Sequence, residues 1–434
     1  MTEEKENKMP AKKINEITVG PKNADITGSD GRAIQLAIDA LSVRGGGTVR
    51  ILPGKYAVNN SIFLKSNIRL AGSGKKTILK KTVPVLSRLK VDADYGQKEI
   101  TPESTRGFSE GMGLFLKDNS IVTNMVRLPL TVTKIAGGKL YIDNFLANDF
   151  CAENGGFVVT YFWLLYAEAL ENTSVEDLVV DMGEEAKEFE ELKGLRIAAV
   201  YFTKSKNCLI KNIKVVHSLG DGICVSTCEH ITVEKCETAY NTMYGIHFGG
   251  HSPWSQGLGN IIHHNYSDGL YICWGVRESV MSGNKIFFNG VEQYRNGISI
   301  GHKDTDNVFE NNHIYGNAKH GVAFRHKTEA NGAHRNIFRN NLIENNGTPE
   351  EKIPQEFLAA LPRRELISCG VYINGSTHDL VFENNIIRET RKKGKKYQRN
   401  AFYLAPGVAR VTLVKNRISG HPDAAIVDDS GKTK

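Results

Sequence analysis

The feature that most constrains this chain is a glycine that returns at regular intervals and each time opens an alternating apolar segment. From about Val200 onward the units read Gly222-Ile-Cys-Val, Gly245-Ile-His-Phe, Gly269-Leu-Tyr-Ile, Gly297-Ile-Ser-Ile, Gly321-Val-Ala-Phe and Gly370-Val-Tyr-Ile. The first four intervals are 23, 24, 28 and 24 residues, and the last, 49, holds one extra coil or an insertion. Periods of this size mark solenoids, in which each unit buries its apolar face only against its neighbours. A second marker follows about a dozen residues later: Phe309-Glu-Asn-Asn-His-Ile, Phe338-Arg-Asn-Asn-Leu-Ile, Phe382-Glu-Asn-Asn-Ile-Ile. Asparagine tolerates the left-handed turn conformation, and stacked coils place one amide above the next so that they pair along the axis. Short period-two strands without intervening helices argue against an α/β fold. The pattern predicts an all-β chain wound as a right-handed parallel β-helix of three-strand coils, parallel crossovers being right-handed.

A solenoid needs a cover over its apolar end. Asp30-Gly-Arg-Ala-Ile-Gln-Leu-Ala-Ile-Asp-Ala-Leu reads as a short amphipathic helix with Ile34, Ile38 and Leu41 on one face, well placed to supply it. Residues 1–20, rich in Lys and Glu at their start, are expected to be a disordered tail, 21–425 a single β-helix domain and 426–434 a flexible tail. Residues 83–194 depart from the repeat and are expected to form a β-rich elaboration beside the early coils. Residues 348–364 are expected to be a looped insertion with a helix near Gln355 to Leu361.

The N-terminal block closely resembles the opening of pectate-lyase-superfamily β-helix proteins. The residues that carry the likeness are Ala33-Ile-Gln-Leu-Ala-Ile-Asp-Ala, Gly45-Gly-Gly-Thr-Val, Leu52-Pro-Gly-Lys-Tyr and Leu70-Ala-Gly-Ser-Gly. The resemblance implies the fold; it leaves the reaction open, because that fold hosts lyases, hydrolases, epimerases, transferases and non-enzymes. Several segments from Gly220 to Asn307 are also similar to a group of bacterial right-handed β-helix proteins. Tyr244-Gly-Ile-His-Phe-Gly-Gly-His loosely resembles the Tyr-Gly-Phe-Asp-Pro-His stretch of mannuronan epimerases, with His247 standing where that motif has its Asp. The Gly-His-Gly of polygalacturonase-type hydrolases does not occur, and the one Asp-Asp, Asp428-Asp429, falls near the C-terminus.

Composition excludes some classes. The 434 residues hold 42 glycines, 12 prolines and a net charge of +7, a mild lean towards an anionic partner. No apolar run reaches the roughly 18 residues of a membrane span. No phosphate-binding or dinucleotide motif is present, nor the dense basic-aromatic stripe of a nucleic-acid binder. Seven cysteines at spacings that form neither a disulfide nor a zinc framework favour a reducing compartment. The start carries no secretory h-region. Both point to the cytoplasm, with secretion the alternative if a precursor is trimmed. Oligomeric state is open.

Alternation places the second residue after each glycine on the outside: Cys224, His247, Tyr271, Ser299, Ala323, Tyr372. The residues before the glycines form a parallel column: Asp221, Tyr244, Asp268, Asn296, His320, Cys369. His251, Trp274, His302 and His326 follow near the strand ends. Ionisable and aromatic groups gather here where an inert surface would show Lys, Glu, Thr and Ser, and adjacent coils sit about 4.8 Å apart. Two carboxylates, Asp221 and Asp268, stand two coils apart, roughly 9.6 Å from that spacing, near the upper limit for an inverting pair; turn capping explains either equally. Trp274 is a stacking platform for a sugar or a packed aromatic. Arg277, Lys303 and Arg325 suit a uronate carboxylate, the arginines through their fork, and His251 and His302 flank them. Asp304 and Asp306 are weak candidates for Ca²⁺.

The expected activity is that of a carbohydrate-active enzyme on a poly- or oligosaccharide containing uronic acid. The expected chemistry is C5 proton abstraction, leading to β-elimination or to epimerisation. Such chemistry needs a base, an acid and a neutralised carboxylate. His247 is assigned as base, Tyr244 or Tyr271 as acid, and Arg277 or Arg325 as neutraliser, base and acid being interchangeable. The alternatives are a glycoside hydrolase using Asp221 and Asp268, and a non-catalytic glycan-binding β-helix.

Overall fold

The computed structural model describes residues 15–120 and 128–431. Each coil contributes one strand to each of three long parallel sheets, of eleven, thirteen and eleven strands among the described residues. The glycine-led strands, such as Ile223–Ser226, Ile246–Gly249 and Leu270–Ile272, form the first sheet. Thr232–Glu234 and Gln256–Leu258 lie in the second, Glu237–Ala239 and Ile261–His263 in the third. The core is a stack of inward residues, for example Ile223, Ile246, Leu270, Ile298 and Val322.

The glycine repeat and the asparagine repeat are two halves of one device. Asn241, Asn265, Asn289, Asn317, Asn346 and Gln398 stack between the third and first sheets, each amide donating to the next side-chain oxygen at 2.8–3.0 Å. A Cβ at Gly245, Gly269 or Gly297 would come within 2.7 Å of the ladder amide of its own coil. The glycines therefore serve clearance rather than a left-handed turn. A second ladder, Asn260, Asn284, Asn312, Asn341, Asn385 and Asn416, runs between the second and third sheets. In each Asn-Asn marker the first residue (Asn311, Asn340, Asn384) has positive φ and the second joins the ladder. Buried amides paired in this way leave few orphaned polar groups in the turns.

The helix Gly31–Ser42 closes the N-terminal end with Ile34, Ile38 and Leu41 wholly buried. Asp30 caps it by accepting from the Ala33 amide at 3.0 Å, as an N-cap carboxylate does. Several expected boundaries shift. Glu16–Gly20 is a strand paired with Gly47–Ile51 rather than part of a tail, and residues 1–14 lie outside the described residues. Ile426–Asp428 pairs with Asn400–Leu404 of the preceding coil, so the expected C-terminal tail begins as a strand; 432–434 also lie outside. The elaboration is a six-stranded sheet with its own apolar cluster, and the chain rejoins the stack at Leu165, which pairs with Ile62, well before residue 194. The 49-residue interval is an insertion and not an extra coil, because Val322 pairs directly with Val371. Its helix, Gln355–Ala360, lies in a segment whose Ile353, Phe357 and Leu358 pack near Tyr294. Among the described residues no helix is long and apolar enough to cross a membrane.

Candidate functional site

The first sheet carries a single vertical column in strict register: Tyr201, Cys224, His247, Tyr271, Ser299, Ala323 and Tyr372. The preceding column is equally regular, since the carbonyls of Tyr244, Asp268 and Asn296 accept from the glycine amides of the coil below. Asp221, Tyr244, His247 and Tyr271 are partly exposed on this wall, whereas Asp268, Asn296, Cys224 and Ser299 are buried, which corrects the expectation that both columns face outward along their length.

At the centre, His247 Nδ1 lies 2.9 Å from Asp221 Oδ2 and 3.6 Å from Cys224 Sγ. A carboxylate only accepts, so in the neutral imidazole this contact places the proton on Nδ1 and leaves the lone pair on Nε2. Nε2 passes over Gly249, where a Cβ would stand 2.6 Å away. The side chains of His247 and Asp221 are 21% and 15% exposed, so both are reachable from solvent.

Beside the histidine, Tyr244 and Tyr271 stack face to face, centroids 3.8 Å apart, and the imidazole meets both rings edge-on at 5.3 and 5.1 Å. Arg325 covers the other side of Tyr271, its guanidinium carbon 4.3 Å from the ring centre. Burial, then neighbouring Tyr271, Asp268 and Asp221, lifts the Tyr244 phenol far above its ordinary range. Burial also raises Tyr271, but the Arg325 charge opposes it and the phenol settles at about 12. Tyr271 is therefore the more acidic of the two.

Arg325 spends three donor contacts on protein, to Ser299 Oγ and the carbonyls of Ile272 and Gly301. That corrects the expectation of a free fork for a substrate carboxylate: most of its five N–H groups already hold the wall together. Arg277 sits on the turn towards the second sheet, its Nε 3.9 Å from Glu278 and its backbone bridged to Thr305. Asp268 is buried, accepting from the backbone and side-chain amides of Asn296 at 3.0 and 2.8 Å. Asp221 and Asp268 are thus each committed to a different partner.

The two carboxylates considered for Ca²⁺ do not gather. Asp304 is wholly buried and accepts the backbone amides of Gly275, Val276 and Gly301; burial pushes its carboxyl up to about 7. Asp306 forms a two-pronged pair with Arg335 on the surface. Their oxygens organise loops, and among the described residues neither belongs to a metal-ligating cluster.

Cavities flank the wall at both strand ends. His251, Trp274, His302 and Lys303, with Gly275 and Asn331, line one of about 300 Å³, so four of the proposed substrate-binding residues do come together. Trp274 is 57% exposed and meets His302 edge-on. The opposite cavity, about 430 Å³, lies beside the Asp221 and Tyr244 column and is walled by Lys187, Phe189 and Lys193 from the irregular loop after the third coil strand, together with Tyr266. The sequence marks this stretch only as part of the 83–194 elaboration, and without a repeat signal nothing in it places Lys187 and Lys193 at the wall. Sequence reasoning missed the contact of Cys224 with His247, although aligning Gly222 with Gly245 sets the two residues side by side.

A parallel β-helix with an ionisable and aromatic wall on one face defines the class. The chain belongs to the rhamnogalacturonase A/epimerase, pectate lyase-like family, matched over residues 18–270, and matches the right-handed β-helix region over 198–349 and 329–434. Among solved structures it is similar to the mannuronan C-5 epimerase AlgE4 A-module of Azotobacter vinelandii (16% identity, TM-score 0.58, covering 96% of this chain and 99% of that one). It is also similar to the polygalacturonase of Erwinia carotovora (12%, 0.57, 94% and 94%). A third such structure is the DFA-IIIase of Arthrobacter chlorophenolicus without its lid (11%, 0.57, 96% and 92%). At these identities the likeness shows the fold. No curated protein matches the chain by sequence.

Proposed function

We propose that the chain is a carbohydrate-active enzyme that removes the C5 proton of a uronate residue in a poly- or oligosaccharide. The observation that carries this is the Asp221–His247 contact, which in the neutral imidazole leaves the Nε2 lone pair available, with Tyr271 edge-on to the ring and Arg325 over Tyr271. A general base held this way contributes about 10²- to 10⁴-fold.

In the step we assign, His247 Nε2 takes the proton from C5 and the electron pair moves into the uronate carboxylate. Tyr271 then returns a proton, either to C5 from the other face or to the departing 4-oxygen as the pair collapses. Arg325 acts through Tyr271 by stabilising the phenolate that this leaves. Lys187 and Lys193 at one end and Lys303 at the other supply positive charge for the substrate's carboxylates. Proteins sharing the fold include a mannuronan C-5 epimerase and a polygalacturonase, which supports a polysaccharide substrate. The separate commitments of Asp221 and Asp268 favour proton abstraction over hydrolysis by two carboxylates.

A panel of uronate polysaccharides assayed for both reducing ends and ultraviolet absorbance tests the proposal. Elimination gives both signals, and epimerisation gives neither while changing the sugar's proton NMR spectrum. Reducing ends without an unsaturated product would point to hydrolysis.

A further inference from the structure

We propose that Asp221, Cys224 and His247 form a binding site for a thiophilic divalent cation of the zinc class. Their ligand atoms, a carboxylate oxygen, Sγ and a ring nitrogen, all lie within 4.8 Å of one another. The individual separations from Nδ1 are 2.9 Å to Asp221 Oδ2 and 3.6 Å to Cys224 Sγ. Zinc bonds of about 2.0–2.3 Å in a tetrahedron set ligand atoms roughly 3.3–3.7 Å apart, so the two separations from Nδ1 need adjustments of only a few tenths of an ångström, and the third is no more than 4.8 Å.

The placement is rigid. Cys224 and His247 are register partners on adjacent strands, and Asp221 enters from the turn immediately before the Cys224 strand. Three protein ligands leave a fourth position for water or another oxygen, on the side where Asp221 and His247 are partly exposed. Thiolate and imidazole together select a soft or borderline ion over Ca²⁺ or Mg²⁺. Among the described residues this is the one cluster of its kind.

Metal binding has a consequence for His247 that rests on the proposed function. With Nδ1 bound to the cation, the proton of the neutral imidazole resides on Nε2, and the thiol proton of Cys224 passes to solvent. Nε2 then donates where it formerly accepted, so the loaded protein lacks its base.

The test is made on the full chain without substrate. Cd²⁺ is added and the thiolate-to-cadmium charge-transfer band is read in the ultraviolet, and Zn²⁺ is titrated calorimetrically. One equivalent of each is expected, with the band lost in Cys224→Ser and zinc affinity reduced about tenfold or more in both Cys224→Ser and His247→Gln. Circular dichroism establishes that both variants are folded. Absence of the band in the unaltered protein, or an equal band in folded Cys224→Ser, would overturn the site. Because no turnover is measured, that failure is separable from failure of the proton-abstraction proposal.

Discussion

Asp221 Oδ2 and His247 Nδ1 meet at 2.9 Å across one coil of the solenoid, and this contact decides which nitrogen of the imidazole can take a proton. The carboxylate comes from the turn before one strand and the imidazole from the middle of the next. Neither is adjacent in sequence, and only the winding of the chain brings them together. Asp221→Asn keeps the size of the side chain but offers Nδ1 an amide whose donor end favours the opposite tautomer. Turnover is expected to fall about 10²- to 10⁴-fold with little change in KM. Steady-state kinetics of the purified variant, with circular dichroism to show an intact fold, check this.

Gly249 keeps the space over Nε2 open. Its hypothetical methyl would stand 2.6 Å from Nε2 and 3.3 Å from the Cys273 carbonyl. Gly249→Ala is expected to turn the imidazole out of position and reduce kcat by about tenfold or more. The melting temperature should change little, because the displaced ring faces outward. A fall in stability as large as the fall in rate would contradict this.

The ladder predicts a stability effect far from the site. Asn312 accepts from both the backbone and side-chain amides of Asn284 and donates to the Met281 carbonyl and to Asn341. Asn312→Ala leaves several of these buried groups unpaired, for a loss on the order of 3 kcal/mol. Denaturant unfolding measures it; the exposed neighbour Asn311, with positive φ but no rung in the ladder, serves as the comparison.

Lys81 is a buried cation with one hydrogen bond, to the Thr82 carbonyl at 2.8 Å, between the rings of Tyr161 and Phe162. Burial pushes its ammonium down to about 7 from an ordinary 10.5. Between those values the folded chain binds fewer protons than the unfolded one, so this group makes stability rise with pH across that window. Below pH 7 both states are charged and the full desolvation cost remains. Lys81→Met is expected to stabilise the protein at pH 6 by an amount on the order of 4 kcal/mol and to flatten the rise towards pH 9.5. Thermal unfolding at the two pH values reads both effects.

Much of this architecture is legible in the chain itself. The glycine intervals set the coils, the Asn-Asn pairs mark the ladders, and alternation puts His247 and Tyr271 in one outward column. The helix over Ile34 and Leu41 is equally plain. What stays hidden depends on contacts between coils or on segments without a period. Arg325 was visible as an outward cation, but its bonds to Ser299, Ile272 and Gly301 arise only when three coils are stacked. Asp304 and Asp306 lie two residues apart yet face different environments, one inside a loop and one against Arg335. Lys187 and Lys193 reach the wall from an irregular loop whose path no repeat dictates.

The most direct measurement of the central claim follows hydrogen at C5. A uronate oligosaccharide is incubated with the protein in deuterium oxide and examined by proton NMR and mass spectrometry. The account predicts that C5 hydrogen is exchanged for deuterium, or lost with formation of a double bond, and that His247→Ala, still folded, does neither. Chain cleavage with C5 hydrogen fully retained, or C5 exchange persisting in His247→Ala, would contradict it.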